Sequence, residues 1–210
     1  MEDNSCTIVI PVRMGSKRLP NKPLKKIAGK PLLEWVIQLA QKVYFNSSLI
    51  VLTEDNIIKE FVDSLDVKCF LTDKFHENGT ERILEIIDNI DSEFIINLQG
   101  DEPLIKPSDL NDLFDIIKSS DVDIASICHE IDNLEAEDPS NVKVVFDNNS
   151  NALYFSRSKI PYGAKTFYSH KGIYAFKKSV LKKIKSFQSS YLGNFEDLEQ
   201  LQWLENSLSI

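Results

Sequence analysis

Cys6-Thr7-Ile8-Val9-Ile10-Pro11-Val12 is an apolar, β-branched run of about the length of one buried strand. It leads straight into Arg13-Met14-Gly15-Ser16-Lys17-Arg18-Leu19-Pro20-Asn21-Lys22-Pro23-Leu24, a polar loop with four cations and a glycine. Pro31 to Ala40 then takes on helical period, with proline in the first turn. The order strand, basic loop, helix is the opening unit of a wound α/β sheet.

The same alternation continues outward. Strands are expected at Leu49 to Thr53, Lys68 to Leu71 and Glu93 to Leu98, with helices at Asn56 to Ser64 and Thr80 to Ile90 between them. Gln99-Gly100-Asp101-Glu102-Pro103 breaks the pattern, before a helix over Pro107 to Lys118 and a strand over Asp121 to His129. From Asn141 the strand candidates crowd together at Val142 to Phe146, Ala152 to Phe155 and His170 to Phe176, with Asp147-Asn148-Asn149 making a hairpin. Two helices, Lys177 to Phe187 and Phe195 to Asn206, follow. The fold class expected is α/β, a mainly parallel wound sheet with a small mixed or antiparallel extension. With no repeat or linker, residues 1–210 read as one domain, and a boundary near 135 separates subdomains.

Composition sets the outer limits. The 210 residues are 42% hydrophobic and 27% charged, enough for a core that buries roughly 70% of the unfolded surface without staples. With 24 Lys and Arg against 32 Asp and Glu, the net charge of -8 repels polyanions, which argues against nucleic acid as a partner. Cys6, Cys69 and Cys128 are widely spaced in apolar runs, so buried free thiols in a reducing cytoplasm are expected. No apolar stretch approaches the roughly 20 residues of a bilayer span, so membrane insertion is not expected.

Against that acidic background the loop after the first strand stands out. Gly15 permits close backbone approach, Ser16 and nearby amides can donate, and Arg13, Arg18 and Lys22 can neutralise phosphate oxygens. A solvated basic loop is the plain alternative, and the spacing is not that of a Walker A loop, which disfavours a kinase or GTPase. Asp101, at a strand end with Gln99, could hold Mg²⁺ alongside substrate phosphates, or end the strand as a solvated acid. Thr80 reads as a helix N-cap with Glu81 near the positive dipole end, and Arg82, which opposes the dipole, can face an anion. Arg157 follows an aromatic strand, and His170 and Tyr174 share a strand face. For His170 a structural role is the plainer reading. Glu196, Glu199 and Gln200 are spaced to share one side of the last helix, either as a solvated face or as a wall for sugar hydroxyls.

Taken in order, IPVRMGSKRLPNKPL, GKPLLEWV, HENGTERI, NLQGDEPLI, VKVVFD, ALYFSRSKIPY, HKGIYAF and LEQL resemble the cytidylyltransferases that activate 3-deoxy-manno-octulosonate (Kdo), the CMP-Kdo synthetases. The first motif is common to sugar nucleotidyltransferases. The TER, LQGDEP and YFSR-x-x-IPY elements are the specific ones, and the likeness runs nearly the whole chain. It implies a Rossmann-like nucleotidyltransferase fold, usually a homodimer, and a magnesium-dependent reaction of CTP with Kdo that gives CMP-Kdo and pyrophosphate for lipopolysaccharide or capsule synthesis.

Carried over by matching motif, Arg13, Gly15, Ser16, Arg18 and Lys22 would hold the nucleotide, with Arg13, Lys22 and Asp101 in catalysis and Asp101 on Mg²⁺. Arg82, Gln99, Arg157, His170, Tyr174, Glu199 and Gln200 would surround the sugar acid, the arginines being suited to its carboxylate. Three departures are visible. Members continue to a D-T-x-E-D-L-like segment whose aspartate is a second metal ligand, whereas this sequence ends at Ile210; the stretch between Tyr162 and His170 is short; Glu54 stands where aspartate is usual. An 8-amino analogue as the sugar acid, or a CTP-binding protein without turnover, are the alternatives.

Overall fold

The computed structural model describes residues 6–15, 19–73 and 76–210. Its elements run β1 (Cys6–Pro11), β2 (Lys26–Ile27), β3 (Lys30–Pro31), α1 (Leu32–Ala40), β4 (Ser47–Thr53), α2 (Asn56–Asp63), β5 (Lys68–Leu71), α3 (Gly79–Ile86) and β6 (Phe94–Asn97). They continue as α4 (Pro107–Ser119), β7 (Ile124–Ile131), α5 (Asn133–Glu137), β8 (Lys143–Phe146), β9 (Ala152–Ser156), β10 (Phe167–Lys177), α6 (Lys178–Ile184), α7 (Tyr191–Glu196) and α8 (Glu199–Glu205). The fold is α/β, with a mainly parallel half and an antiparallel extension, as the sequence predicts.

The eight-stranded sheet is ordered β5-β4-β1-β6-β10-β8-β9, with β7 on the other edge of β10. β1 lies parallel to β4 and to β6, and β4 is parallel to β5. β1 is apolar apart from Thr7, whose hydroxyl pairs with that of Ser92, because both of its faces are covered. Cys6, Ile8 and Ile10 pack with Leu33, Val36 and Ile37 of α1 and Leu113, Phe114 and Ile117 of α4. Val9 joins the opposite core with Ile83 and Ile86 of α3, Leu181 of α6 and Trp203 of α8.

β10 is where the sheet changes character. Its second half, Tyr174 to Lys177, runs antiparallel to β6, while Ser169 in its first half pairs with Lys143 of β8. β7 follows it on the other edge across an irregularity between Lys171 and Tyr174. One edge of β10 therefore passes from β6 to β8, and the sheet forks around Gly172.

Four details differ from the sequence reading. The helix expected over Phe195 to Asn206 is two helices, broken at Asp197, which takes the left-handed conformation at φ 54°. Glu196 therefore ends α7 while Glu199 starts α8, and the two carboxylates do not share a helix face. The N-cap of α3 is Asn78, whose side chain accepts the Glu81 amide at 2.9 Å, with Thr80 inside the helix. The short α5 is capped by a reciprocal pair, Asp132 accepting from Glu135 N–H and Glu135 from Asp132 N–H, in a stretch without helical period. Cys6 and Cys69 are buried free thiols, but Cys128 is exposed on β7. No helix among the described residues is long and apolar enough to cross a membrane.

Phe114 stacks on Phe45 at 4.2 Å and meets Phe94 edge-on at 5.9 Å, joining α4 to β6 and to the segment before β4. Phe114→Ala is expected to lower unfolding free energy by about 3–5 kcal/mol in denaturant titration, with no change in the fold.

Candidate active site

The carboxyl ends of β1 and β6 meet at close range, and two glycines permit it. A Cβ at Gly100 would lie 3.0 Å from Val12 Cβ, and one at Gly79 would lie 2.8 Å from Pro11 Cγ. The loop after β6 and the start of α3 thus both press on the end of β1. In open α/β sheets this is the edge where ligands bind.

A cavity of about 1410 Å³ opens there and runs along the fork of β10. It exceeds the usual range for one small ligand, roughly 300–1,000 Å³, and has room for two substrates side by side. Arg13, Gly15 and Lys22 line it from the loop after β1; Arg82 from α3; Gln99, Asp101 and Glu102 from the loop after β6. His170, Gly172 and Tyr174 form its floor on β10, and Glu199 and Gln200 close it from α8. The candidates from distant parts of the chain are thus brought together, with three exceptions. Ser16 and Arg18 lie outside the described residues, and Arg157 is not in the cavity wall.

Local contacts hold these groups. The Met14 amide donates to Asp55 Oδ2 at 2.8 Å, which ties the basic loop to the turn after β4. Lys22 Nζ donates to Asp101 Oδ2 at 2.5 Å, so the cation of one loop and the carboxylate of the other neutralise each other across the cavity mouth. Glu102 beside them is pushed up from the ordinary carboxylate value, mainly by burial.

Arg82 is almost wholly buried, and its Nη2 donates to Glu54 Oε2 at 2.6 Å while Nη1 bonds the Thr72 hydroxyl and the Asp73 carbonyl. Its position in the first turn of α3, unfavourable to the dipole, is thus offset by a carboxylate on the chain itself. Arg157 is committed elsewhere: Nε donates to the Glu196 carbonyl at 2.7 Å, Nη1 to the Pro139 carbonyl at 3.2 Å and Nη2 to the Asp197 carbonyl at 3.0 Å.

On the floor, the Ser126 hydroxyl donates to the Ile173 carbonyl at 2.8 Å and lies 2.8 Å from His170 Nε2. A hydroxyl has one proton, so Nε2–H is the donor in that second contact and Nδ1 is left as an acceptor. Burial, with Lys171 nearby, pushes His170 down to about 3, so the ring is neutral at neutral pH. Burial holds the Tyr174 phenol well above its ordinary value, and its hydroxyl donates to Gln200 Oε1 at 3.2 Å.

Asp101 is a half-exposed carboxylate with one cation for a neighbour, and among the described residues no group of three or more His, Cys, Asp or Glu is arranged around a metal position. A single hard oxygen donor fits a magnesium ion that keeps its waters and is shared with substrate phosphates. The sequence reading gave no site role to Glu81, Asn194, Asp197 or Gln202, which also line the cavity. Only Glu81, within HENGTER, carried a local signal, and that signal was for capping.

Glu199 is pushed up to about 7, burial outweighing a hydrogen bond from Thr80, with Glu81 adding repulsion. Its ordinary value is 4.5, so between pH 4.5 and 7 the folded state holds a proton that the unfolded chain has lost. Stability therefore falls as pH rises through that window. Glu199→Gln is expected to raise the melting temperature relative to the parent chain at pH 8, with the difference shrinking towards pH 5 in thermal unfolding.

Comparison with known proteins bears on this arrangement. A family model described as cytidylyltransferase matches residues 7–210. The 3-deoxy-manno-octulosonate cytidylyltransferase of Escherichia coli is 38% identical over 212 residues, covering 99% of this chain and 86% of the relative. The 8-amino-3,8-dideoxy-manno-octulosonate cytidylyltransferase of Shewanella woodyi is 40% identical over 208 residues, covering 94% and 84%. Among solved structures, a CMP:2-keto-3-deoxy-manno-octonic acid synthetase complexed with CTP superposes with a TM-score of 0.93 at 38% identity, over 98% of this chain and 87% of that one. With a basic loop, a strand-end carboxylate and a polar floor gathered at one sheet edge, the chain belongs to the cytidylyltransferase family.

Proposed function

We propose that this chain joins CTP to 3-deoxy-manno-octulosonate, giving CMP-Kdo and pyrophosphate for a lipopolysaccharide or capsule precursor. The observation that carries the reading is the convergence on one cavity of motif residues spread from Arg13 to Gln200, in a chain alike over its length to enzymes of that name. In this reading the part before about 135 is the nucleotide-binding part, from which Arg82 and Gln99 also face the sugar acid, and the part after it completes the sugar side and forms a homodimer. Free thiols support a cytoplasmic setting.

The reaction is an in-line displacement. The anomeric hydroxyl of the sugar acid attacks the α-phosphorus of CTP and gives up its proton to solvent, the new P–O bond forms as the bond to the β-phosphate oxygen breaks, and pyrophosphate leaves with the electron pair. The protein's part is positioning and charge neutralisation. Gly15 lets the loop backbone approach the triphosphate, with Arg13 and, from the undescribed stretch, Ser16 and Arg18 on its oxygens. Lys22 leaves Asp101 to meet the α-phosphoryl group. Asp101 would hold magnesium, which when bound supplies charge neutralisation and orientation at the phosphate oxygens.

On the sugar side Gln99, Tyr174, Glu199 and Gln200 offer donors and acceptors to hydroxyls, and neutral His170 supplies an uncharged floor. Arg82 and Arg157 are the candidates for the carboxylate. Arg157 would reach it only by releasing its three carbonyls, which makes Arg82, already at the cavity, the nearer of the two.

A second reading changes only the sugar. The 8-amino relatives are as similar as the Kdo enzyme, and Glu77, Glu81 and Glu199 in the wall would favour an ammonium group. Pyrophosphate release with CTP and Mg²⁺ tests both, Kdo and its 8-amino analogue being supplied in turn. Asp101→Asn is expected to lower turnover at least about 100-fold. CTP binding without turnover on either sugar acid would refute the proposed reaction.

A further inference from the structure

Lys143 has no exposed surface, and it ranks with Trp203 and Phe155 among the largest fully buried side chains. Its ammonium donates to two main-chain carbonyls, Arg157 at 2.6 Å and Asp138 at 3.1 Å, with the carboxylates of Asp138, Glu196 and Glu137 near enough to favour its charge. Removing an ammonium from water is costly, and an apolar side chain of similar volume is often as good or better for stability. Stability alone therefore gives no reason for a lysine there.

Placement does. The carbonyl of Asp138 precedes Ser140 and Val142, which line the cavity beside the fork of β10. The carbonyl of Arg157 belongs to a knot around Glu196: Ser156 Oγ donates to Glu196 Oε1 at 2.6 Å and the Arg157 amide to Oε2 at 2.7 Å. The Arg157 guanidinium bridges back to Pro139, Glu196 and Asp197. From Asp197, itself in the cavity wall, the chain continues along that wall through Leu198, Glu199 and Gln200. Two wall segments that are distant in sequence are thus joined through one buried ammonium and the residue it holds.

We propose that Lys143 is a positioning residue for the sugar-acid side of the cavity, fixing the 138–142 and 196–200 segments relative to each other through the carbonyls of Asp138 and Arg157. It touches no substrate. The proposal rests on the reading that this side of the cavity receives the sugar acid.

Lys143→Met keeps the length and removes the donors. In hydrogen exchange, amides of 139–142 and 196–200 are expected to exchange at least about tenfold faster in the variant, while those of β1 and β4 keep their rates. In kinetics, KM for the sugar acid is expected to rise about tenfold with kcat within about threefold of the parent, and CTP affinity by calorimetry to stay within about twofold. A general packing defect would instead weaken CTP binding and speed exchange in β1 and β4, and that result overturns the proposal. So do unchanged exchange and unchanged KM in a folded variant. If Lys143→Met does not fold, Glu196→Gln cuts the same knot from the far side and is judged by the same pattern. Should the parent chain turn over neither sugar acid, the proposed reaction fails, and the exchange experiment alone decides on the staple.

Discussion

The arrangement depends on how closely three backbones approach at the end of β1. Pro11 and Val12 leave no room for a side chain at Gly79 or Gly100, so the start of α3 and the loop after β6 sit directly on the strand. Everything chemical about the site follows from that contact. It brings the loop carrying Lys22 within reach of Asp101, sets Gln99 beside α3, and aims the first turn of the helix at the cavity. Any β-carbon there would push the two loops apart by several tenths of an ångström, the scale on which positioning is won or lost.

Charge is handled locally in this acidic chain. Three cations in or near the site are each matched on the chain: Lys22 with Asp101, Arg82 with Glu54, and Arg157 with the carbonyls around Glu196. A pair left half-exposed, such as Lys22 with Asp101, is cheap to open because water can take over both partners. The buried pair of Arg82 with Glu54 is not, since parting it would strand a charge out of water. The division separates a group that can move to a ligand from one that must meet a ligand where it stands.

Much of this was legible in the chain itself. The continuous apolar run of β1 and the loops that follow β1 and β6 are local features, and local physics places them. The motif residues from Arg13 to Gln200 could be listed from sequence, yet their meeting in one cavity is a product of topology. What stayed hidden was decided by tertiary partners. Asp197 falls inside one continuous helical pattern in the sequence, and its left-handed conformation is seen only in the folded chain, where its carbonyl accepts from the Arg157 guanidinium. Arg82 reads as an unpaired cation until Glu54, on another strand's turn, is seen against it. Lys143 sits in a strand whose pattern suggests nothing but an apolar neighbour.

The fork in the sheet has a consequence for how the protein comes to be. The β1, β4, β5 and β6 strands all lie before residue 98, whereas the floor of the cavity needs the chain to return from its last third, Tyr174 pairing with Asn97 and Ser169 with Lys143. Closing such loops costs chain entropy before any contact repays it. The loops after β1 and β6 belong to the first half of the chain, but the place for the second substrate, and the cover over one face of β1 from α6 and α8, exist only when the last third of the chain has docked. A nascent or proteolytically shortened chain without that third would lack the sugar side of the cavity and leave one face of β1 bare.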